Sequence, residues 1–262
     1  MEIKDYLSNY YEWYDENGRL TSRHGMVEYM TTMHYIERYL KPGMRVMEIG
    51  AATGRYSHAL AQQGYQVDAV ELVEHNIELF RQNTLPGEPV TITRGNAMDL
   101  SAFASEMYDI TLLLGPMYHL YTTDDKRKAL SEAIRVTRKG GVIFVAYCMG
   151  DASILSYGFV RGKICDLIEK CMIDTETFDT FSNPWDIFEL YRKEDIDRLR
   201  EEFAVSQLHF VAADGYANHM RSTLGEMEEK TYGLYLKYHL ATCERQDMVG
   251  YSHHTLDIFR KE

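Results

Sequence analysis

Val46-Met47-Glu48-Ile49-Gly50-Ala51-Ala52-Thr53-Gly54 decides the reading of this chain. Residues 45–49 have strand character. They run into small residues and two glycines, then into residues 56–63, where Leu60 and Ala61 mark the inner face of a helix and Gly64 its end. A strand that turns sharply into a helix is half of a βαβ unit. Glycine lets the backbone turn tightly and lets a ligand come close to it. The helix that follows points its first N–H groups at that ligand.

The alternation repeats outward from this loop. Residues 66–72 read as strand, 74–83 as helix and 90–94 as strand. Residues 109–114 form a nearly continuous apolar run, as in a sheet covered on both faces. Asp124 offers an N-cap to a helix whose inner face is Leu130, Ala133 and Ile134. Lys139-Gly140-Gly141 stops that helix, and residues 142–147 read as another buried strand. Residues 149–202 are mostly helical or irregular, with a break at Ser182-Asn183-Pro184-Trp185. Residues 203–211 and 255–259 return to strand, on either side of a helical stretch over 218–243. Upstream, residues 1–40 carry Val27, Met30, Met33, Ile36, Tyr39 and Leu40 at helical spacing, closed by Lys41-Pro42-Gly43.

The expectation is therefore an α/β fold: a Rossmann-like, seven-stranded, mostly parallel sheet with helices on both faces and a helical cap insert. Four divisions follow. They are an N-terminal helical lid (1–44), an α/β core (45–148), a helical substrate-cap insert (149–202) and a C-terminal completion of the core (203–262).

Composition narrows the partners. The net charge is −12, whereas non-specific nucleic-acid binding needs basic residues that displace phosphate counterions. Long nucleic acids and membrane surfaces are disfavoured, and a small-molecule substrate is expected of a monomer or homodimer. Cys148, Cys165, Cys171 and Cys243 show no C-x-x-C spacing. They read as reduced thiols, and with no signal-peptide pattern at the start the expected location is cytoplasmic. The pair His253-His254 lacks a third ligand at useful spacing, so no metal is expected there.

Two cofactor classes use a glycine turn of this kind. In the dinucleotide pattern G-x-G-x-x-G, read from Gly50, the third glycine falls on Arg55, a poor fit for close helix–strand packing. The pattern acidic-x-Gly-x-Gly-x-Gly matches as Glu48, Gly50, Ala52 and Gly54, with Ala51 between. This resembles motif I of the class I S-adenosylmethionine-dependent methyltransferases, of the small-molecule type. One position departs, Ala52 for glycine, and alanine disfavours positive φ.

Three further segments extend the resemblance across residues 45–147. Glu71, with Leu72, ends the second strand 23 residues after Glu48; a carboxylate there can accept from both ribose hydroxyls. Gly95-Asn96-Ala97-Met98-Asp99-Leu100 resembles the family's Gly-Asp-Ala-x-Asp-Leu segment. Asn96 replaces the acidic residue that meets the adenine amino group, and Met98 would lie on the adenine face. Leu114-Gly115-Pro116-Met117-Tyr118-His119 resembles the segment after the fourth strand. The resemblance implies S-adenosylmethionine as cofactor, S-adenosylhomocysteine as product, and methyl transfer to an O, N or S acceptor. An NAD-dependent oxidoreductase and a non-catalytic S-adenosylmethionine-binding protein are the alternatives.

His119 is the candidate general base, with the ordinary imidazole pKa suited to neutral pH, and Tyr118 the candidate for positioning the acceptor. In the family, residues before the first strand commonly fold over the cofactor. The segment Tyr10-Tyr11-Glu12-Trp13-Tyr14-Asp15 supplies Tyr11 and Tyr14 for this, with Arg23 to pair with the methionine carboxylate.

Overall fold

The computed structural model describes residues 3–14, 16–186 and 188–262. Asp15, part of the predicted lid segment, lies outside them. Eight strands form one sheet: β1 (Arg45–Ile49), β2 (Gln66–Glu71), β3 (Val90–Arg94), β4 (Tyr108–Leu113), β5 (Thr137–Met149), β6 (Leu190–Tyr191), β7 (Val205–Ala212) and β8 (His254–Lys261). Their order is β3-β2-β1-β4-β5-β8-β7, and the two-residue β6 pairs with the end of β5. β8 runs antiparallel to both β5 and β7, while the pairings from β3 through β5 are parallel.

The chain order reverses between β1 and β4. In an open α/β sheet the crevice beyond the carboxyl ends at such a point is where ligands bind. β1 and β4 are almost wholly buried because helices cover both faces. The helices include α1 (Ile3–Tyr11), α2 (Arg23–Tyr39), α3 (Arg55–Gln62), α4 (Glu74–Asn83), α5 (Thr123–Val136) and, later in the chain, α6 (Lys193–Arg200). The main core runs through Ile36, Met47, Ile49, Leu60, Leu112, Phe144 and Ile258.

Several boundaries move from their expected places. The first 40 residues do not form one helix. α1 and α2 are separated, and Ser22 starts α2 by accepting the Gly25 N–H. α5 is capped by Thr122, whose Oγ accepts the Asp125 N–H, rather than by Asp124. Strand β5 begins at Thr137, directly after α5, with Gly140 at φ 76° inside it. The expected helix stop at Lys139–Gly141 thus lies within a strand. The predicted helical insert is mixed. It holds short helical turns at Gly150–Ser153, Ile154–Val160 and Ile164–Glu169, then returns through β6 to the sheet before α6.

Arg200 on α6 ties this return to the antiparallel edge. Its guanidinium reaches the fully buried Asp257 carboxylate of β8 at 2.8 Å, and Gln207 of β7 donates to the other oxygen at 2.8 Å. Burial pushes Asp257 up, against the pull of Arg200. Removing one partner of such a pair leaves a buried charge uncompensated. Arg200→Leu should therefore lower the unfolding free energy by about 3 kcal/mol in denaturant titrations; a loss below about 1 kcal/mol would show that Asp257 does not depend on it.

Candidate active site

Gly50, Ala52 and Gly54 all adopt positive φ, at 76°, 47° and 89°. The loop therefore needs left-handed backbone at all three places, and Ala52 meets that need with a side chain that disfavours it. At Gly50 an added Cβ would stand 2.6 Å from the Pro116 ring, so the loop after β4 lays that ring against the Gly50 backbone only because the residue is glycine. Gly54 serves packing: a Cβ there would meet His58 and Phe80 at 2.6 Å.

Glu71 holds the loop. One of its oxygens accepts the Ala52 N–H at 2.8 Å and the other the Val73 N–H at 2.9 Å. The carboxyl is buried, which raises its pKa against these hydrogen bonds. Glu48 is buried beneath the same loop, bonded by the Ser57 hydroxyl. Burial pushes it up to about 8, the Ser57 bonds pulling the other way.

A cavity of about 530 Å³ opens above these strand ends, a size typical of ligand sites. Of the residues expected to bind cofactor, Glu48, Gly50, Ala51, Ala52, Glu71, Leu72, Asn96, Ala97, Met98, Leu114 and Gly115 line it, as do Tyr118 and His119. Asn96 uses its side-chain oxygen on the Met98 N–H at 3.0 Å, shaping the turn that faces the cavity. Tyr118 donates to the Leu114 carbonyl at 2.8 Å. His119 Nε2 lies 3.1 Å from the Tyr11 hydroxyl, so the imidazole holds α1 over the cavity mouth.

Arg23 stands elsewhere. Its guanidinium donates to the Met227 carbonyl, pairs with Glu229 at 3.0 Å and lies over the Tyr232 ring at 5.1 Å. It clasps α2 to the C-terminal helices, and its predicted contact with a methionine carboxylate has no geometric basis. Arg19 and Arg55 line the cavity instead. Arg55 opens α3 with its guanidinium 4.5 Å from the centre of the Tyr29 ring.

Tyr14 lines a second cavity of about 520 Å³, where it stacks on Tyr10 at 5.0 Å. Both cavities include Tyr11, Arg19, Glu28, Tyr118 and His254 in their walls. From the predicted cap insert, Ser153, Phe188 and Leu190 contribute to the second cavity, but so do Asp214, Asn218, Arg221, His253 and His254. The C-terminal segment thus supplies more of this wall than sequence reading assigned to it. His254 lies with Asp214 and Glu28 so that one ligand-type atom from each falls within 4.8 Å of the others. Nothing in the spacing of 28, 214 and 254 signals this; the antiparallel β7–β8 pair and α2 bring them together.

Residues 47–145 match the family model of a methyltransferase domain. The chain is similar to an S-adenosylmethionine-dependent Diels-Alderase of Talaromyces variabilis, 27% identical over 106 residues, or 39% of this chain and 35% of that protein. It is also similar to a demethylmenaquinone methyltransferase of Clavibacter sepedonicus, 32% identical over 104 residues, or 39% of this chain and 40% of that protein. The matches span well under half the length of these relatives. Among solved structures, the CcbJ methyltransferase of Streptomyces caelestis shares the fold with a TM-score of 0.60 at 12% identity, covering 100% of this chain and 99% of that one. The methyltransferase-domain match thus lies over β1 to β5, and the fold of the whole chain is that of a solved methyltransferase.

Two measurements test the electrostatics and strain of the loop. Ala52→Gly should raise stability by about 1 kcal/mol, the left-handed penalty of alanine, read from denaturant midpoints; a loss would mean the loop is not strained there. For Glu48, a folded pKa above the unfolded value means that the folded state keeps a proton the unfolded state has lost. Its contribution is full below about pH 4.5 and is lost as pH rises towards about 8. The melting temperature of Glu48→Gln should therefore gain on that of the wild type between pH 5 and pH 8; a constant difference would show Glu48 to be ionised throughout.

Proposed function

We propose that this chain, built on the class I methyltransferase domain, transfers the methyl group of S-adenosylmethionine to a small-molecule acceptor. The observation that carries the reading is the cradle at the β1/β4 switch point, where Gly50 leaves backbone exposed and Glu71 presents a buried carboxylate. The residues present fit the cofactor. An adenosine needs close backbone approach and an acceptor for its ribose hydroxyls, and both are on the wall of one cavity. Glu71 is engaged by the Ala52, Leu72 and Val73 backbone and by the Asn76 side chain, so a ribose hydroxyl would share its oxygens with these donors.

In this reading Ala97, Met98 and Leu72 flank the adenine, Asn96 lies at its edge, and Arg19 or Arg55 faces the carboxylate end. The cofactor would supply an electrophilic methyl on a sulfonium. The chain supplies orientation, worth about 7–11 kcal/mol when reacting atoms are held in line. It also excludes water, through Leu7, Leu20 and Tyr11 of the N-terminal segment. His119, bonded to Tyr11 on the wall of the same cavity, helps to keep that segment closed. No helix among the described residues is long and apolar enough to cross a membrane. The cavity is of small-metabolite size, which supports a small acceptor over a macromolecular one.

The similarity to an S-adenosylmethionine-dependent Diels-Alderase favours a second reading, in which the cofactor binds without giving up its methyl. Formation of S-adenosylhomocysteine across an acceptor panel separates the two, and binding with no product on any acceptor supports the second.

Calorimetry with S-adenosylhomocysteine tests the cradle. Gly50→Val should abolish binding, because the new side chain would overlap the Pro116 ring. Glu71→Ala should weaken binding by about 1–3 kcal/mol, the cost of losing a charged hydrogen-bond partner. NADH binding in place of S-adenosylhomocysteine would overturn the assignment.

A further inference from the structure

The helix after β2 buries a polar residue in its first turn. Three residues of α4 are buried: Asn76, Ile77 and Phe80. Phe80 joins Ala51 and Ala69 in one apolar cluster. Asn76 is 2% exposed and lies on the wall of the first cavity. Asparagine gains little in a helix, because its side chain competes for backbone hydrogen bonds. Burying an amide also costs free energy unless both of its ends are bonded. The stability of α4 therefore gives no reason for an asparagine at this place.

One end of the amide is accounted for. Its Nδ2 donates to the Glu71 carboxylate, which fixes the way round that the amide sits. Oδ1 is then a buried carbonyl oxygen with no partner in the chain. Among the described residues, Asn76 is the one member of the first cavity's wall with a buried, unbonded side-chain polar atom. Glu71 has little to spare. Its two oxygens offer about four lone-pair sites. The Ala52, Leu72 and Val73 N–H groups and the Asn76 amide already address them. Two ribose hydroxyls would both crowd these donors. The amide that touches Glu71 carries the missing acceptor, for Oδ1 has two lone pairs and uses neither.

We propose that Asn76 is a second anchor for the cofactor's ribose: Oδ1 accepts one of the two ribose hydroxyls, and Glu71 shares its oxygens with the other. This rests on the S-adenosylmethionine reading above. The two acceptors stand at the end of β2 and in the first turn of α4, locked to each other through Nδ2, so they hold one edge of the sugar at two points. The adenine on C1′ and the sulfur arm on C4′ leave the sugar on either side of that edge. Leu72, Ala97 and Met98 take the adenine, and the sulfur arm runs towards the wall shared by the two cavities. A site built in this way discriminates against a nucleoside that lacks either hydroxyl, because the missing group strands a buried acceptor.

Calorimetry with three ligands tests this: S-adenosylhomocysteine and its 2′-deoxy and 3′-deoxy analogues. Failure of S-adenosylhomocysteine itself to bind would remove the cofactor reading, and this proposal with it. Where it binds, the wild type should hold each deoxy analogue about tenfold more weakly, the effect of one lost hydrogen bond in a buried site. Asn76→Ala should weaken S-adenosylhomocysteine about tenfold, but should weaken the analogue lacking the Asn76-bound hydroxyl by less than about twofold. Glu71→Ala should show the same coupling to the other hydroxyl. Equal losses for all three ligands with Asn76→Ala would overturn the proposal. So would coupling of both variants to the same hydroxyl, because Asn76 would then act only by holding Glu71. If either variant does not melt cooperatively, the wild type decides. About tenfold losses on both analogues support two anchors, and a deoxy analogue bound as tightly as its parent leaves one anchor and overturns the proposal.

Discussion

Backbone N–H groups converge on the Glu71 carboxylate, among them Ala52 in the loop after β1 at 2.8 Å and Val73 just before α4 at 2.9 Å. That convergence fixes the loop between the parallel strands β1 and β2. It also holds Ala52 in a conformation that alanine disfavours. With the loop held, Gly50 lies against Pro116, and the ends of β1 and β4 close to form the floor of the first cavity. The floor is rigid because the strands beneath it are buried on both faces.

The roof has a different origin. It comes from α1 and α2 on one side and from the antiparallel β7–β8 pair on the other. The antiparallel turn of β8 puts its first residue, His254, at the carboxyl end of β5. The end of β7 places Asp214 within reach of it. A parallel strand in the same place would begin at the amino end of β5. The reversal of β8 is therefore what brings a histidine–aspartate pair to the same end as the glycine loop.

Much of this was legible in the sequence. The alternation of apolar strands with helices of ordinary length gave the parallel half of the sheet, and the strand-to-helix turn at 46–54 gave its switch point. The segments ending at Glu71, Met98 and His119 lie on one cavity because each follows a parallel strand, and all parallel strands end on the same side. Arg23 was misplaced because a cation before the first strand has no periodicity to say which way it points. In the structure, two carbonyls and Glu229 at the far end of the chain claim it. Glu28, Asp214 and His254 were invisible for a related reason. They lie on separate elements, and their spacing carries no signal of contact. The strand at 190–191 is too short for any pattern to mark it.

The central claim is that Glu71 and the Gly50 loop hold an adenosine whose sulfur end faces the wall shared by the two cavities. A crystal structure with S-adenosylhomocysteine tests it most directly. The account predicts ribose hydroxyls within hydrogen-bond distance of the Glu71 carboxylate, and the sulfur beside Tyr118 and His254. A ligand seated away from Glu71, or one whose sulfur points from the shared wall into the first cavity's interior, would contradict it.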